Sequence, residues 1–370
     1  MRIGFDAKRA FLNTSGLGNF SRNTLNALQR YYPKYNYTLF TPEIKPGMLE
    51  QQNEFEIVDP EGSNSGLKKS IWRSFQLSNE IANRELNLFH GLSNELPRGI
   101  HKLEIPSVVT VHDLIFLRYP EFYKTLDRAI YLRKTKYACT VASKVHAISQ
   151  QTKADLLNFI DTDPDKIEII NQSVSPAFFQ NVNTRKVKEK YQLPDEFILT
   201  VGTIEERKNQ LVILKALKQG SIKIPIVFVG KPTTYIQTIR KLIDEMHIHK
   251  QVLFFENIPE NDLVGFYQLA NLSIYISVFE GFGLPVIESM ACGCPVITSN
   301  ISCLPETADD AAVLCSPDNI EQLGHNIQQL LNDSSFRNEF ILKGRIRAND
   351  FQPAKYVEKL IALYAKLTTH

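Results

Sequence analysis

The chain is 370 residues long, enough for about two domains of ordinary size. Its composition, 43% apolar and 22% charged, is that of a globular protein, and a formal net charge of +2 gives no field that would gather nucleic acid. The five cysteines (Cys139, Cys292, Cys294, Cys303, Cys315) follow no disulfide framework and are expected as free thiols in a reducing cytoplasm.

The first residues, MRIGFDAKRAF, carry charge at once and lack the apolar core of a signal peptide. No run approaches the ~18 apolar residues of a membrane span, so any membrane contact is expected to be peripheral. Arg2–Asp6 reads as a strand, and Leu17–Arg30 has apolar residues at helical spacing. Further strand-like runs are Tyr37–Phe40, Leu88–His90, Val108–Val111, Lys144–Ala147 and Ile167–Ile170. Thr41–Ser70 has no clear period and reads as a long loop. A polar stretch near Gln180–Glu189 reads as a linker. The alternation then restarts with Phe197–Val201, Ile224–Val229, Val252–Phe255, Leu272–Ile276, Val296–Thr298 and Ala312–Leu314. The last segment, PAKYVEKLIALYAKL, is a helix with one apolar stripe and Pro353 in its first turn. Strands alternating with helices predict an α/β fold: two doubly wound, Rossmann-like parallel-sheet domains facing a central cleft. The expected domains are 1–180, joined by a returning helix at 352–370, and 190–350.

The densest chemical signal is IYISVFEGFGLPVIESMACGCPV (Ile274–Val296). An apolar strand runs into a Gly-Phe-Gly-Leu-Pro turn, and a helix follows with Pro285 in its first turn. Such a junction points free N–H groups and the positive end of a helix dipole at an anion. Glu280 and Glu288 bracket the turn, so the ligand expected there carries both phosphates and hydroxyls, as a nucleotide sugar does. Cys292-Gly-Cys294 lacks a Cys/His partner at metal-site spacing, and no metal is expected.

Three more segments carry chemistry. In NTSGLGNFSRN (Asn13–Asn23), Gly16 and Gly18 would let backbone approach a phosphate or form a plain tight turn. The segment lacks the third glycine of the dinucleotide fingerprint, which disfavours a nicotinamide enzyme. In VGTIEERKN (Val201–Asn209) a strand ends at Gly202, and Arg207 and Lys208 follow as phosphate-gripping cations or as a solvated pair. His112 ends a strand in VHDL, as a structural histidine or one that meets a sugar hydroxyl or leaving phosphate. Asp161-Thr-Asp163 superficially suggests a metal–nucleotide motif, but its setting before Pro164 reads as a turn.

Together these segments resemble glycosyltransferase family 4, retaining enzymes of the two-Rossmann GT-B fold, and the bacterial polysaccharide mannosyltransferase-like subgroup within it. The likeness runs through SGLGNFSR, LFHGLSNELP (Leu88–Pro97), VVTVHDLIFLRYPEFY (Val108–Tyr123) and VHAISQQTKADLL (Val145–Leu157), where Ser149 is expected to cap a helix. It continues through VGTIEERKN and EGFGLPVIESMACGCPVITSNISCLPE (Glu280–Glu306), and covers nearly the whole chain in matching order. Thr203 stands where many relatives carry Arg, and Glu205-Glu206 where many carry Glu-Pro.

The resemblance implies an activity and residue roles. A hexose would pass from a nucleotide-diphosphate sugar, GDP-mannose before a UDP-sugar, to a glycan or lipid-linked hydroxyl in surface polysaccharide synthesis. No metal or other cofactor is implied. Arg207 and Lys208 would hold the diphosphate, Glu280 the donor hydroxyls and Glu288 the ribose. The N–H groups near Phe282, Gly283 and Leu284, with Gly202 and Thr203, would complete the donor side. Gly16, Gly18 and His112 would act from the first domain. Other readings are a GT-B epimerase or hydrolase, or a nucleotide-sugar-binding protein without catalysis. Arg118–Tyr137 and the cluster Lys68, Lys69, Trp72 and Arg73 mix basic and aromatic residues that could meet an anionic membrane surface or form an ordinary amphipathic face.

Overall fold

The structure, a computed structural model, describes residues 1–60, 69 and 71–369, with the side chains of 74 and 75 excepted. Two compact units divide the chain: Met1–Ser173 with the segment from Pro353 onward, and Val174–Gln352.

The first unit holds a parallel sheet of β1 (Arg2–Asp6), β2 (Asn36–Phe40), β3 (Glu56–Val58), β4 (Leu88–Gly91), β5 (Ser107–Val111), β6 (Lys144–Ala147) and β7 (Ile167–Ile169). The spatial order is β3-β2-β1-β4-β5-β6-β7. The chain therefore winds one way from β1 and then the other, and the reversal lies between β1 and β4. Strands buried on both faces read as continuous apolar runs, which is why this sheet was visible in the sequence. β3 was not. It lies inside the stretch expected to be a loop, because three residues at a sheet edge leave no period to see. Thr38 Oγ1 donates to Glu56 Oε2 at 2.7 Å across this pair. The remainder of that expected loop at 61–68 and 70, Lys68 included, lies outside the described residues.

The second unit holds β8 (Ile198–Val201), β9 (Ile226–Val229), β10 (Val252–Phe255), β11 (Leu272–Tyr275), β12 (Val296–Ser299) and β13 (Val313–Cys315). Their order is β10-β9-β8-β11-β12-β13, with its own reversal between β8 and β11. The polar stretch expected as a linker is in part a helix of this unit, Thr184–Tyr191. It reads as polar because only Val187 is buried, against Gly265. Asn183 Oδ1 caps it by accepting from Lys186 N–H at 3.1 Å.

The C-terminal helix Pro353–Thr368 packs in the first unit, where Tyr356, Val357, Leu360, Ile361 and Tyr364 join the core of β1 and the helix Gly16–Tyr31. A buried polar chain also ties it to the sheet. His146 Nε2 lies 2.7 Å from Ile170 O, and a carbonyl only accepts, so this nitrogen carries the proton. His146 Nδ1 then accepts from Thr110 Oγ1 at 2.9 Å. Thr110 in turn accepts from His90 Nε2 at 2.8 Å, and His90 Nδ1 accepts from the Tyr364 hydroxyl at 2.5 Å. Burial keeps both rings neutral, lowering His146 to about 4 and His90 well below the usual histidine value. Ser149 caps its helix as expected, accepting from Thr152 N–H at 3.1 Å.

Candidate donor site of the second unit

Ligands of doubly wound sheets bind beyond the carboxyl ends of the strands where the winding reverses. In the second unit this means the residues after β8 and β11. β8 ends just before Gly202, whose φ of +143° suits only glycine. Its N–H donates to Val229 O at 2.9 Å, and a Cβ there would lie in ordinary contact with the Lys208 stem, so the backbone angle and not space calls for glycine. A short 3-10 turn, Glu206–Lys208, then closes on Asn209 in the left-handed region (φ +61°). The Asn209 amide donates to Ile276 O at 3.3 Å and Pro317 O at 2.6 Å, which pins the turn to the end of β11.

That turn delivers two cations onto one carboxylate. Arg207 meets Glu280 Oε2 at 2.7 Å, and Lys208 Nζ meets Glu280 Oε1 at 2.6 Å. Arg207 also donates to Phe279 O at 2.7 Å and to Glu205 Oε1 at 2.6 Å, while Lys208 donates to the Tyr275 hydroxyl. The three side chains are 17%, 11% and 10% exposed, so the cluster sits almost out of water. Burial pushes the Glu280 carboxyl up, but Arg207 and Lys208 outweigh it and hold the group at about 2. Burial, with Arg207 alongside, lowers Lys208 from the usual lysine value. Ser302 Oγ accepts from Glu280 N–H at 3.1 Å and donates to Glu280 O at 2.7 Å, fixing the backbone that carries the carboxylate.

Next to the cluster, Gly283 caps the helix Leu284–Ala291 with φ +96°, and Pro285 lies in its first turn. Among the described residues, the N–H groups of Phe282, Gly283 and Leu284 have no hydrogen-bond partner. The Phe282 side chain is core: its ring packs on Phe351, and its carbonyl accepts from Thr307 Oγ1 at 2.6 Å. Only its backbone faces chemistry. Thr203 contributes a carbonyl that accepts from Gln210 Nε2 at 3.1 Å. Glu288, one turn into the helix, accepts from the Tyr267 hydroxyl at 3.0 Å. Burial raises its carboxyl to about 7, the Tyr267 bond opposing the rise only in part. One motif thus holds two carboxyls pushed in opposite directions.

The first-unit residues have different settings. Gly18 is explained within its own loop, because a Cβ there would strike the Asn13 carbonyl. Asn13 Oδ1 accepts from Ser15 N–H at 2.8 Å and Gly18 N–H at 3.3 Å. Nothing crowds Gly16. His112 is buried with both ring nitrogens engaged: Nε2 donates to Leu92 O at 2.9 Å, and Nδ1 accepts from the Gln172 amide at 3.0 Å. Burial lowers it to about 4. The ring is therefore a neutral, in-fold hydrogen-bonding group. Using a ring nitrogen on a sugar or phosphate requires giving up one of these bonds.

The expected surface cluster around Trp72 and Arg73 is overturned. Trp72 is buried, Lys69 pairs with Glu43 at 2.8 Å, and Arg73 forms buried ion pairs with Asp6 and Glu95. The chain places these residues inward because Arg73 bridges two carboxylates that would otherwise be buried without a counter-charge.

The model of glycosyltransferase family 4 matches residues 14–178, and that of glycosyl transferases group 1 matches residues 182–347. By these two matches the chain is a glycosyltransferase, with a family 4 segment followed by a group 1 segment. This glycosyltransferase is 27% identical to O-antigen chain mannosyltransferase B of Escherichia coli, over 76% of the chain and 74% of the relative. It is 28% identical to the serotype-specific mannosyltransferase WbdA of Escherichia coli over 69% of the chain, but spans only 33% of that longer protein. The solved sucrose-phosphate synthase of Thermosynechococcus elongatus shares the fold, with a TM-score of 0.80, 21% identity and 99% of each chain covered. The fold is GT-B.

Sequence reasoning about the glycosyltransferase missed Tyr275, Tyr267 and Ser302, which hold the Lys208, Glu288 and Glu280 groups in place. Their only signal was position: Tyr275 ends β11, and Ser302 follows β12 by a short turn. Cys292 and Cys294 are buried thiols, raised by burial, and Cys292 Sγ donates to Phe178 O at 3.5 Å. Among the described residues, no group of three or more His, Cys, Asp or Glu is placed to hold a metal, and no helix is long and apolar enough to cross a membrane.

Proposed function

We propose that this glycosyltransferase moves a hexose, mannose in the first instance, from a nucleotide-diphosphate sugar to a hydroxyl of a glycan or lipid-linked acceptor, with retention at the anomeric carbon. The supporting observation is that Arg207 and Lys208 both close on Glu280, just before the N-terminus of Leu284–Ala291 and at the reversal of the second sheet. The hard step is breaking the bond from sugar C1 to the diphosphate oxygen, which leaves negative charge on the diphosphate. Cations and N–H groups held in place beforehand stabilise that charge without reorganising. The acceptor oxygen forms the new bond to C1, and its proton passes to the departing phosphate oxygen. The charge is supplied by Arg207 and Lys208, so the proposed reaction requires no metal.

Glu280 has two duties in this reading. It fixes both cations while the diphosphate is away, and its carboxylate accepts from donor hydroxyls when the sugar is present. Glu288 accepts from the ribose, with Tyr267 orienting it. Gly16, Gly18 and His112 serve as first-unit backbone and shape. The two mannosyltransferase relatives support mannose as the sugar, and GDP is proposed as its carrier ahead of UDP.

The helix Thr125–Val141 exposes Leu126 (72%), Ile130 (42%) and Tyr131 (41%) among Arg128, Arg133 and Lys134, which supports peripheral contact with an anionic membrane at the cytoplasmic face. Thermal shift with GDP, UDP, ADP and their sugars tests the donor. A ligand at 100 times its dissociation constant adds about 2.7 kcal/mol of stability, and no shift with any of them would count against the reading. NMR of the product tests retention: a β-linked product from an α-linked donor defeats it. Donor consumed equally with and without acceptor would favour a hydrolase or epimerase.

A further inference from the structure

The first unit has a cavity of about 560 Å3 at its own winding reversal. Asp6, the last residue of β1, and Glu95, just beyond β4, form the floor with Arg73 between them. Arg73 donates to Asp6 Oδ2 at 2.6 and 3.1 Å and to Glu95 Oε2 at 2.5 Å. The wall is one face of Thr125–Val141, where Ile130, Arg133, Lys134 and Tyr137 recur at helical spacing. The loop beyond β4 closes the other side with Arg98 and Lys102. The Tyr137 hydroxyl holds that loop, accepting from Gly99 N–H at 2.8 Å and donating to Pro97 O at 3.2 Å.

The charges are layered. The floor carboxylates are fixed by Arg73, with Lys134 also on Glu95 at 3.3 Å. The cations nearer the mouth exceed the acids there, and among the described residues neither Lys102 nor Arg133 has an ion-pair partner. Carboxylate oxygens keep lone pairs after accepting from Arg73, so they can accept from hydroxyls. Exposed Arg and Lys suit phosphate oxygens. The volume is within the usual range of small-molecule sites.

We propose that this cavity binds a phosphate-bearing sugar, its hydroxyls on Asp6 and Glu95 at the floor and its phosphate on Lys102 and Arg133 at the rim. This rests on the glycosyltransferase reading above and names the acceptor class: a sugar whose own phosphate is used as a handle. The chemistry has two sources, a water-soluble sugar phosphate or a sugar carried on a lipid diphosphate.

Calorimetric titration of the full chain with inorganic pyrophosphate at low salt tests it. Two classes of site are expected, one in each unit. The variant Lys102→Ala/Arg133→Ala changes exposed side chains away from the core. It should weaken one class by about tenfold or more, the scale of a lost charge-assisted hydrogen bond, and leave the other intact. Lys208→Ala should do the reverse. An unchanged titration in the rim variant overturns the proposal. Failure of Lys208→Ala to alter either class would instead count against the donor-site reading and leave the rim result standing. α-D-Mannose 1-phosphate should bind the rim-dependent class more tightly than inorganic phosphate, and equal binding overturns the hydroxyl floor. Farnesyl diphosphate separates the sources. Tighter binding than pyrophosphate, reduced by Ile130→Ser, supports the lipid-linked source, and no gain supports the soluble one.

Discussion

Each unit winds outward from a central pair of strands and puts a buried ion cluster at the reversal, but the group at the centre of each has the opposite sign. In the second unit two cations, Arg207 and Lys208, close on Glu280, with Glu205 on the outer side of Arg207. In the first, two carboxylates, Asp6 and Glu95, close on Arg73. The same backbone plan therefore centres one reversal on a carboxylate held between two cations and the other on a cation held between two carboxylates. The first arrangement suits a departing diphosphate. The second suits hydroxyl groups. The comparison also shows that the doubly wound plan fixes where a ligand lies, while a few charged side chains fix what kind it is.

The comparison can be broken most forcefully at Arg73. Arg73→Ala leaves Asp6 and Glu95 buried with their main counter-charge gone, and should cost about 3–5 kcal/mol of stability, read by denaturant unfolding. A change below about 1 kcal/mol would show that the floor is wetter than its burial indicates. At the other reversal, Lys208→Ala should lower kcat about 10²–10³-fold, or about 2.7–4 kcal/mol, the scale for one preorganised charge-stabilising donor. Unchanged kcat with raised KM would mean that Lys208 binds the donor without stabilising its departure.

The two carboxyls of the second-unit motif sharpen the contrast through pH. Glu280 is depressed to about 2, so its contribution to stability is present above the ordinary carboxyl value and is lost as pH falls toward 2. Glu288 is raised to about 7, so its contribution is complete below the ordinary value and is lost as pH rises through 7. Glu288→Gln should flatten the loss of Tm between about pH 5 and 8, whereas Glu280→Gln should remove part of the acid-side loss. Identical Tm profiles for both variants would cancel the distinction. The smallest expected effect is at the exposed helix face. Leu126→Ser should change stability by less than about 0.5 kcal/mol while weakening flotation with anionic liposomes. Flotation unchanged by the substitution or by salt would remove the membrane contact.

The second reversal was legible because its chemistry is local. Arg207-Lys208 follows one strand directly, and Glu280 follows another, with glycines and a proline marking the turn. Asp6, Arg73 and Glu95 are far apart in sequence, and each alone reads as an ordinary surface charge, so only the folded sheet assembles them. His112 shows the converse limit. Its place at a strand end was readable, but its partners, Leu92 O and the Gln172 amide, come from elsewhere in the unit and decide what its ring can do. Most strands were readable from continuous burial. β3 and the helix Thr184–Tyr191 were not, since one is too short and the other buries a single side chain.

The chain of bonds from Tyr364 through His90, Thr110 and His146 to Ile170 also bears on timing. Each proton in it has one place, and the first donor is on the last helix. The second unit, Val174–Gln352, is one uninterrupted stretch and can complete itself as soon as it is made. The first unit, although its strands leave the ribosome earliest, lacks the Tyr364 bond to His90 and part of its core cover until Pro353–Thr368 has emerged. The half of the enzyme that is synthesised first is therefore the half that finishes last.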